Sequence, residues 1–376
     1  MDTTGHGSAI PEPETRGSET ILDLPRELPC AIGMGAYLKA SLCHIEGTVA
    51  RISPAAGDLG TLEAVDRYEA FCADLLRGRP QPVIAAHDLH PDFHSTRAAT
   101  ALGVPLLGVQ HHHAHVLATQ WEHGHEGPVL GLVLDGFGLG PGGENWGGEL
   151  LLADGPDFRR IGHLSLLPQP GGDRAAREPW RMGAAALWTL GRGSEIAQRY
   201  ADQPHAALLA RILDKGVNAP MTSSCGRLFD AACGLLNLRL AADFEGQAPM
   251  ELEALATAPE VMTDGWTLAG GVLDFSALLA RLADMETIPG ANLFHGTLAA
   301  GFADQILAAR TETGLATVAL GGGCFLNQVL KRDLSARLEA AGLTVLSPMH
   351  LSPGDAGLSF GQAVAGALHA ERATGR

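Results

Sequence analysis

The stretch PVLGLVLDGFGLGPGGENWGGELLLADG, residues 128–155, decides the fold class. An apolar run leads to Asp135, a glycine-rich segment follows, and a second apolar run returns. Apolar runs bounded by glycine turns are typical of paired β-strands, so the pattern predicts a strand, a glycine turn and a returning strand. A second structural unit is therefore expected to begin near Gly127.

Strand and helix patterns alternate on both sides of this hairpin. Upstream, PVIAAHDL and VPLLGVQ read as buried strands, and DLGTLEAVDRYEAFCADLLRG has helical spacing. Downstream, residues 173–260 are mostly helical in pattern, and LATVALGGGCFLNQVLKRDLSARLEAAGLTVLSP reads as strand, glycine loop, helix and strand. This alternation predicts an α/β fold. Hairpins with glycine turns also resemble the phosphate-handling hairpins of sugar-kinase and actin-type folds.

The same patterns predict the domain organisation. Residues 1–27 are rich in Gly, Ser, Thr, Glu and Pro, which favours a disordered leader. Residues 28–126 are expected to form the first unit, and residues 127–355 the second. The last helix, residues 356–376, is expected to return and complete the first unit.

Composition restricts the function. The 376 residues contain 42 acidic and 26 basic side chains, a formal net charge of −16, which argues against broad electrostatic binding to DNA or RNA. The six cysteines form no CxxC pair, so a thiolate zinc site is not expected, and scattered thiols favour a reduced, cytoplasmic location. No apolar run reaches the roughly 18 residues that span a bilayer, so no membrane association is expected.

Four histidines stand within five positions in VQHHHAHVLA, residues 109–118. Residues four apart share one helix face, so His111 and His115 can point at one metal ion. His112 and His115, three apart, are the competing pair. Alternatively, all four histidines are solvated or are hydrogen-bonded within the core.

Two aspartates are candidate partners for these imidazoles, because imidazole with carboxylate suits iron or zinc. Asp135 ends an apolar strand, and Asp355 lies in LSPGDAGLSFGQA between a strand and a helix. Taken singly, Asp135 also fits an ordinary turn residue and Asp355 an ordinary helix cap.

The loop LGGGCFLNQVL, residues 320–330, has three glycines between an apolar strand and a helix. Such a loop brings backbone N–H groups against phosphate, although glycine is common in strand-to-helix turns without a ligand. Asn327 adds a candidate contact to base or ribose. SSCGRLFDAACGLL and FEGQAPMELE place Asp230, Gly246 and Gln247 at or near helix starts.

These segments carry a family resemblance. Seven segments occur in the order and spacing seen in HypF-type carbamoyltransferases of [NiFe]-hydrogenase maturation. They are VQHHHAHVLA, LDGFGLGPGGENWGGELLL, PGGDRAAREPWRM, SSCGRLFDAACGLL, FEGQAPMELE, GGGCFLNQVL and PGDAGLSFGQA. The resemblance runs from about residue 28 to 370. More distantly, the chain resembles the TsaD family, which modifies tRNA, and the antibiotic O-carbamoyltransferases. All share a two-domain actin-like, ribonuclease-H-like (ASKHA) architecture, with mixed sheets flanked by helices.

The resemblance implies a function for the site residues. In this superfamily two histidines four apart hold iron or zinc, which here are His111 and His115, and the aspartate ligands fall on Asp135 and Asp355. Fe(II) or Zn(II) is thus the implied metal, and it would bridge the donor phosphate and polarise the carbonyl. Asp230 is implied as the ribose contact.

The other implied contacts are with ATP or carbamoyl-adenylate. Gly246, Gln247, Gly322, Gly323 and Asn327 are expected near the nucleotide, and Lys39 is a candidate catalytic contact to phosphate. The sequence departs from the family at Phe137, Leu139 and Gly142, where threonine, tyrosine and an acidic residue are usual. These positions border the expected donor pocket.

HypF proteins usually carry an acylphosphatase domain, zinc fingers and a YrdC-like adenylating domain before this region, and none of their motifs is found here. The sequence therefore predicts a stand-alone carbamoyltransferase region whose carbamoyl-adenylate comes from separate domains. The expected acceptor is the C-terminal cysteine of a HypE-type partner, a step in cyanide-ligand synthesis. Two alternatives stay open: a small-molecule O-carbamoyltransferase, and a catalytically weakened maturation scaffold.

Overall fold

The structure is a computed structural model that describes residues 18–375, and it contains two mixed β-sheets with helices packed on their faces. This confirms the predicted α/β class. The strands are β1 Thr20–Gly33, β2 Cys43–Ile52, β3 Ile84–Asp88, β4 Leu106–Val109, β5 Val129–Leu139, β6 Asn145–Asp154, β7 Asp157–Leu164, β8 Leu167–Pro168, β9 Met221–Thr222, β10 Thr267–Ala269, β11 Val272–Asp274, β12 Thr317–Gly321 and β13 Thr344–Leu346.

The helices lie between and around these strands. They are α1 Leu62–Leu76, α2 His94–Ala101, α3 His111–Glu122, α4 Asp173–Arg177, α5 Pro179–Thr189, α6 Ile196–Arg199, α7 Ala206–Asp214, α8 Cys225–Leu235, α9 Gln247–Leu255, α10 Ser276–Leu282, α11 Thr287–Thr313, α12 Gln328–Ala340 and α13 Leu358–Thr374. Short 3₁₀ turns occur at Gly193–Glu195, Gly323–Leu326 and Asp355–Gly357. The predicted helical middle of the chain corresponds to α4 through α9.

The two sheets share one strand arrangement. In the second sheet, β5, β6 and β7 form an antiparallel meander, and β12 and β13 add in parallel on the other side of β5. In the first sheet, β2 pairs antiparallel with β1, and β3 and β4 add in parallel on the other side of β1. In each sheet, antiparallel strands lie on one side of β1 or β5 and two parallel strands lie on the other, which is the arrangement expected for the two halves of an actin-like fold.

The first strand corrects the predicted leader, residues 1–27. β1 begins at Thr20, where it pairs with Ile52 of β2. The reason lies in the local pattern, because Leu24 and Leu28 of this segment are buried while the residues between them are exposed or half-buried. A strand that alternates in this way is stabilised because the side chains on one of its faces are buried in the core. Overall composition does not reveal such a strand, because it ignores the order of the residues. The rest of the predicted leader, residues 1–17, lies outside the described residues.

Helices α3 and α13 lie between the two sheets. α13 packs against β1, β2, β3 and α3, and α3 also contacts β5 and β12 of the second sheet. The core on this side includes Leu117, Trp121, Phe360 and Val364, and a larger core fills the space around α5, α8 and α11. Side chains on α3 can therefore meet residues of both sheets.

Within residues 18–375, no helix combines the length and the apolar character that a membrane crossing requires.

Candidate functional site

The first turn of α3 carries two histidines on one face. Gln110 caps the helix, because its Oε1 accepts a hydrogen bond of 2.9 Å from the His113 N–H. This fixes where the helical turn starts, and so which histidines share a face. His111 and His115 are buried, and their Nε2 atoms both face Asp135 and Asp355.

The neighbouring histidines point elsewhere. His112 Nδ1 accepts a hydrogen bond of 3.0 Å from the Gln110 amide, and its ring lies 6.1 Å from that of Trp146. His113 Nε2 donates to the Gly155 carbonyl at 3.1 Å. Burial lowers the pKa of His113 to about 4 and that of His112 well below its usual value. The structure thus selects the His111 and His115 pair over His112 and His115.

Asp135 lies where strand β5 is irregular. β5 continues to Leu139 rather than ending at Asp135 as predicted, but its register with β6 shifts between Leu134 and Gly138. A bulge of this kind redirects side chains. Asp135 Oδ1 accepts from the Gly136 N–H at 2.7 Å and the Gly323 N–H at 3.3 Å, and its Oδ2 lies 3.1 Å from His115 Nε2 and 3.4 Å from His111 Nε2.

The glycine-rich loop after β12 approaches this bulge closely. Gly322 has φ +95°, and a Cβ there would collide with the Leu134 carbonyl oxygen. A Cβ on Gly323 would lie 3.2 Å from Asp135 Oδ1. Two of the three predicted glycines are thus explained by contact with Asp135 and its strand, and their expected role at a nucleotide stays a prediction.

Asp355 approaches from the other side, in the 3₁₀ turn that precedes α13. Its Oδ1 lies 3.5 Å from His111 Nε2 and 3.9 Å from His115 Nε2. One ligand atom from each of the four residues lies within 4.8 Å of the other three. All four predicted metal ligands are therefore brought together.

The chemistry of this cluster fits a cation. Three of its atoms are buried without a hydrogen-bond partner, namely His111 Nε2, His115 Nε2 and Asp135 Oδ2. Unpaired buried polar atoms cost free energy, and a metal ion would pair all three at once. Two imidazoles and two carboxylates suit zinc or iron.

The charges within the cluster depend strongly on one another. Burial disfavours the imidazolium of His111, but Asp135, Asp355 and Asp88 outweigh it and hold its pKa well above the usual value. Burial likewise disfavours the Asp135 carboxylate, but His111 and His115 hold its pKa well below the usual value. The site therefore favours bound positive charge, whether protons or a metal cation.

Asp88 is a site residue that the sequence analysis missed. It ends β3, is buried, and accepts a hydrogen bond of 2.7 Å from His111 Nδ1 through its Oδ2. The sequence did contain an indication of this role, because Asp88 is a carboxylate at the end of a predicted strand. The carboxyl ends of parallel strands form the sheet edge at which α/β proteins bind ligands.

Helix α8 is held against the same bulge. Ser224 Oγ accepts from the Arg227 N–H at 3.1 Å and donates to the carbonyls of Asp135 and Gly136 at 3.1 and 2.7 Å. Asp230, one turn on, is buried, and its Oδ2 lies 2.8 Å from Arg227 Nε, yet neither atom has a hydrogen-bond partner. Burial raises the pKa of Asp230 to about 6, against the opposing effect of Arg227.

Lys39 and Glu245, which lies in the loop before α9, are close enough for the Lys39 charge to act on the Glu245 carboxyl. Lys39 is exposed and has φ +47° in the turn between β1 and β2. The sequence analysis did not single out Glu245. Its carboxyl lies near the charged side chains of Asp355, Lys39, Asp135 and Arg227. Burial raises the pKa of Glu245, and the negative charge of Asp355 raises it further. Gly246, the neighbour of Glu245, is the residue just before α9 and has φ +78°.

Two predicted nucleotide contacts have partners inside the fold. Gln247 Oε1 accepts from the Asp243 N–H at 2.7 Å. Asn327 caps α12 by accepting from the Leu330 N–H at 2.9 Å, and its Nδ2 lies 2.9 Å from His295 Nε2. Both side chains therefore already have hydrogen-bond partners within the fold. Their roles in binding a nucleotide stay predictions.

Comparison with known proteins gives this arrangement a family context. The sequence matches the HypF Kae1-like domain over residues 26–122 and the second subdomain of the carbamoyltransferase Kae1-like domain over residues 131–362. It is 45% identical over 379 residues to carbamoyltransferase HypF2 of Cupriavidus necator, covering 91% of this chain and 47% of that protein. It is 44% identical over 356 residues to a carbamoyltransferase HypF homolog of the same organism, covering 88% of this chain and 90% of that protein.

Two solved structures are similar over nearly the whole chain. Full-length HypF in a phosphate- and nucleotide-bound form is 31% identical with a TM-score of 0.84, covering 92% of this chain and 56% of that one. HypF of T. kodakarensis is 27% identical with a TM-score of 0.83, covering 94% and 49%. The chain thus spans about half the length of these solved proteins and of HypF2, and most of the length of the shorter homolog.

Proposed function

Since the chain belongs to the HypF family of carbamoyltransferases, we propose that it transfers a carbamoyl group from carbamoyl-adenylate to the C-terminal cysteine of a HypE-type maturation protein. The observation that carries the proposal is the convergence of His111, His115, Asp135 and Asp355, with three unpaired buried atoms aimed at one point. This is a site that fits a cation, placed between the two sheets.

In the proposed transfer, the acceptor thiolate sulfur attacks the carbamoyl carbon. A C–S bond forms, the bond from that carbon to the phosphate oxygen breaks, and AMP leaves with the electron pair. The thiol proton has already passed to solvent or to a nearby base. Iron or zinc held by the four residues would supply Lewis acidity toward the carbonyl and the phosphate.

The chain's own residues hold the donor in this proposal. Asp230 accepts from a ribose hydroxyl, and the backbone of Gly246 and of the Gly322–Gly323 segment lies along the nucleotide. Lys39 supports the phosphate, since it is an exposed cation whose charge acts on the Glu245 carboxyl, which also lies near Asp135 and Asp355. A nucleotide is bound in one of the similar HypF structures, which supports an adenylate donor.

The direct test supplies purified chain with carbamoyl-adenylate, metal and a HypE-type acceptor, and follows the acceptor by mass spectrometry. A carbamoyl group is expected on the terminal cysteine. His115→Ala should abolish the modification, whereas His369→Ala, which changes an exposed histidine of α13, should not. Carbamoylation that is equally fast with His115→Ala would refute the role of the cluster. Transfer to small hydroxyl compounds but not to the acceptor would favour an O-carbamoyltransferase.

Donor binding is tested separately by calorimetry with AMP and ATP in the presence of metal. Saturable binding is expected. Asp230→Ala should weaken it by about tenfold or less, because a ribose hydrogen bond contributes about 0.5–1.5 kcal/mol net. Unchanged affinity in Asp230→Ala would place the ribose elsewhere.

A further inference from the structure

We propose that Asp88 is a positioning residue for the metal centre, and that it selects the imidazole nitrogen which His111 presents to the metal. The inference deepens the proposed function and rests on it. Asp88 contacts His111 alone among the four candidate ligands, on the side of the ring opposite Asp135 and Asp355. It acts through His111 and not as a ligand itself.

The two ring nitrogens of His111 face different partners. Nδ1 lies 2.7 Å from Asp88 Oδ2, and Nε2 lies 3.4 Å from Asp135 Oδ2 and 3.5 Å from Asp355 Oδ1. An ionised carboxylate only accepts hydrogen bonds, so Nδ1 carries the proton in this contact. In the neutral ring, Nε2 then holds its lone pair toward the cluster, as a metal ligand requires.

The carboxylate itself is held by the backbone. Asp88 Oδ1 accepts from the His90 N–H at 2.9 Å, and Asp88 is 1% exposed. Asp88 is also paired in register with Val109, two residues before His111. The parallel β3–β4 pairing therefore brings the carboxylate and the start of α3 to the same edge of the sheet.

The physical consequence is a preorganised ligand. Without Asp88, the buried Nδ1–H would lose its partner, and the proton and the ring orientation would be free to change. Removing such an outer partner of a metal-bound histidine commonly weakens metal affinity by about 10- to 100-fold.

The test measures zinc affinity of metal-depleted protein by competition with a chelator, for the wild type, Asp88→Ala and Asp88→Asn. We expect Asp88→Ala to weaken binding by about 10- to 100-fold, and Asp88→Asn, which keeps an acceptor oxygen, to fall between. Glu69→Gln is the matched control, because Glu69 lies 3.3 Å from His94 in another carboxylate–histidine pair. That control should bind zinc like the wild type.

A second readout distinguishes positioning from a structural role. In ¹⁵N-labelled protein, the His111 Nδ1–H should give a hydrogen-bonded imidazole resonance in the wild type, with or without metal, and lose it in Asp88→Ala. Wild-type zinc affinity in Asp88→Ala, or a His111 Nδ1–H signal that is unchanged by it, would overturn the inference. Absence of zinc binding in the wild type would instead contradict the proposed function, and the resonance would still decide the role of Asp88.

Discussion

At the scale of single residues, the geometry of the candidate metal site depends on glycines at positions where no side chain fits. Gly138 follows the bulge of β5 and lies directly against the start of α3. A Cβ there would stand 2.5 Å from His112 Cε1 and 2.9 Å from His111 Cβ. The backbone at Gly138, just after the bulge that carries Asp135, thus lies directly against the side chains of His111 and His112.

Gly138→Ala should therefore displace His111 and His112 together. We expect a loss of about 1–3 kcal/mol of unfolding free energy from overpacking, together with weaker metal binding. Urea unfolding and zinc titration measure the two effects. In Gly193→Ala, where the added Cβ would meet Trp188 Cδ1 at an ordinary 3.4 Å, both should change little. Equal behaviour of the two variants would contradict this account of Gly138.

Asp230 predicts a pH dependence of stability. Its pKa in the fold, about 6, lies above the ordinary 3.8, so the fold favours the protonated carboxyl. Protonated Asp230 therefore contributes up to about 3 kcal/mol to the free energy of unfolding. This contribution is fully present below the pKa of the unfolded chain and is lost as the pH rises through about 6. Asp230→Asn cannot ionise, so its stability relative to the wild type should increase between about pH 4 and about pH 7.

Urea unfolding at several pH values checks this sign. Asp157→Asn is the comparison, because the hydrogen bond from Arg372 lowers the pKa of the exposed Asp157 carboxyl. The wild type should be slightly more stable than Asp157→Asn at neutral pH, and this difference in unfolding free energy should disappear on acidification. A stability difference for Asp230→Asn that does not vary with pH would show that Asp230 keeps an ordinary pKa in the fold.

At the scale of elements, α13 is clamped between β1 and α3 by close backbone contacts. A Cβ on Gly33 of β1 would collide with the Ser359 carbonyl of α13, and a Cβ on Gly361 of α13 would collide with the Ala114 carbonyl of α3. Asp355 lies in the turn that leads into α13. The same contacts that pack α13 therefore position a candidate metal ligand.

Gly361→Ala should separate α3 from α13 and destabilise the fold by about 3 kcal/mol. The matched control is Gly366→Ala on the same helix, where the nearest atoms lie 3.3 Å from the added Cβ. There the higher helix propensity of alanine should offset the tighter contact, for a net change near zero. Thermal unfolding of the two variants tests this, and a Gly361→Ala protein as stable as Gly366→Ala would contradict the close packing.

At the scale of the whole molecule, the four candidate ligands come from different structural units. Two lie on α3, one on β5 of the second sheet, and one before α13, which covers the first sheet. Metal bound by all four would therefore favour the fully folded state over any partly opened one. The position of α3 between the sheets makes this coupling a property of the fold.

Metal removal should accordingly lower stability. At a free metal concentration near 100 times the dissociation constant, binding adds about 2.7 kcal/mol to the unfolding free energy. Denaturant unfolding with zinc and with excess chelator measures the difference. His115→Ala should show no difference between the two conditions. A metal effect of equal size in that variant would mean that the ion stabilises the protein from another site.

Local pattern predicted the α/β class and the candidate histidine pair. Periods of two and of about 3.6 residues are properties of neighbouring residues, so strands, helices and the face shared by His111 and His115 are visible in the chain itself. The same local pattern did not choose between His111 and His112. That choice depends on where the first turn of α3 begins, which the Gln110 cap and the packing of α13 decide.

Only the tertiary structure decided how the site is assembled. Asp135 and Asp355 are 220 positions apart, and they meet because a bulge turns one carboxylate inward while α13 carries the other back to the first sheet. The strand before Asp88 was predicted, but its contact with His111 depends on the register of β3 with β4. By itself the sequence determined which elements form and which residue types end them. Which of those ends meet was decided by strand order, a bulge and glycine contacts, because these arise between segments far apart in the chain.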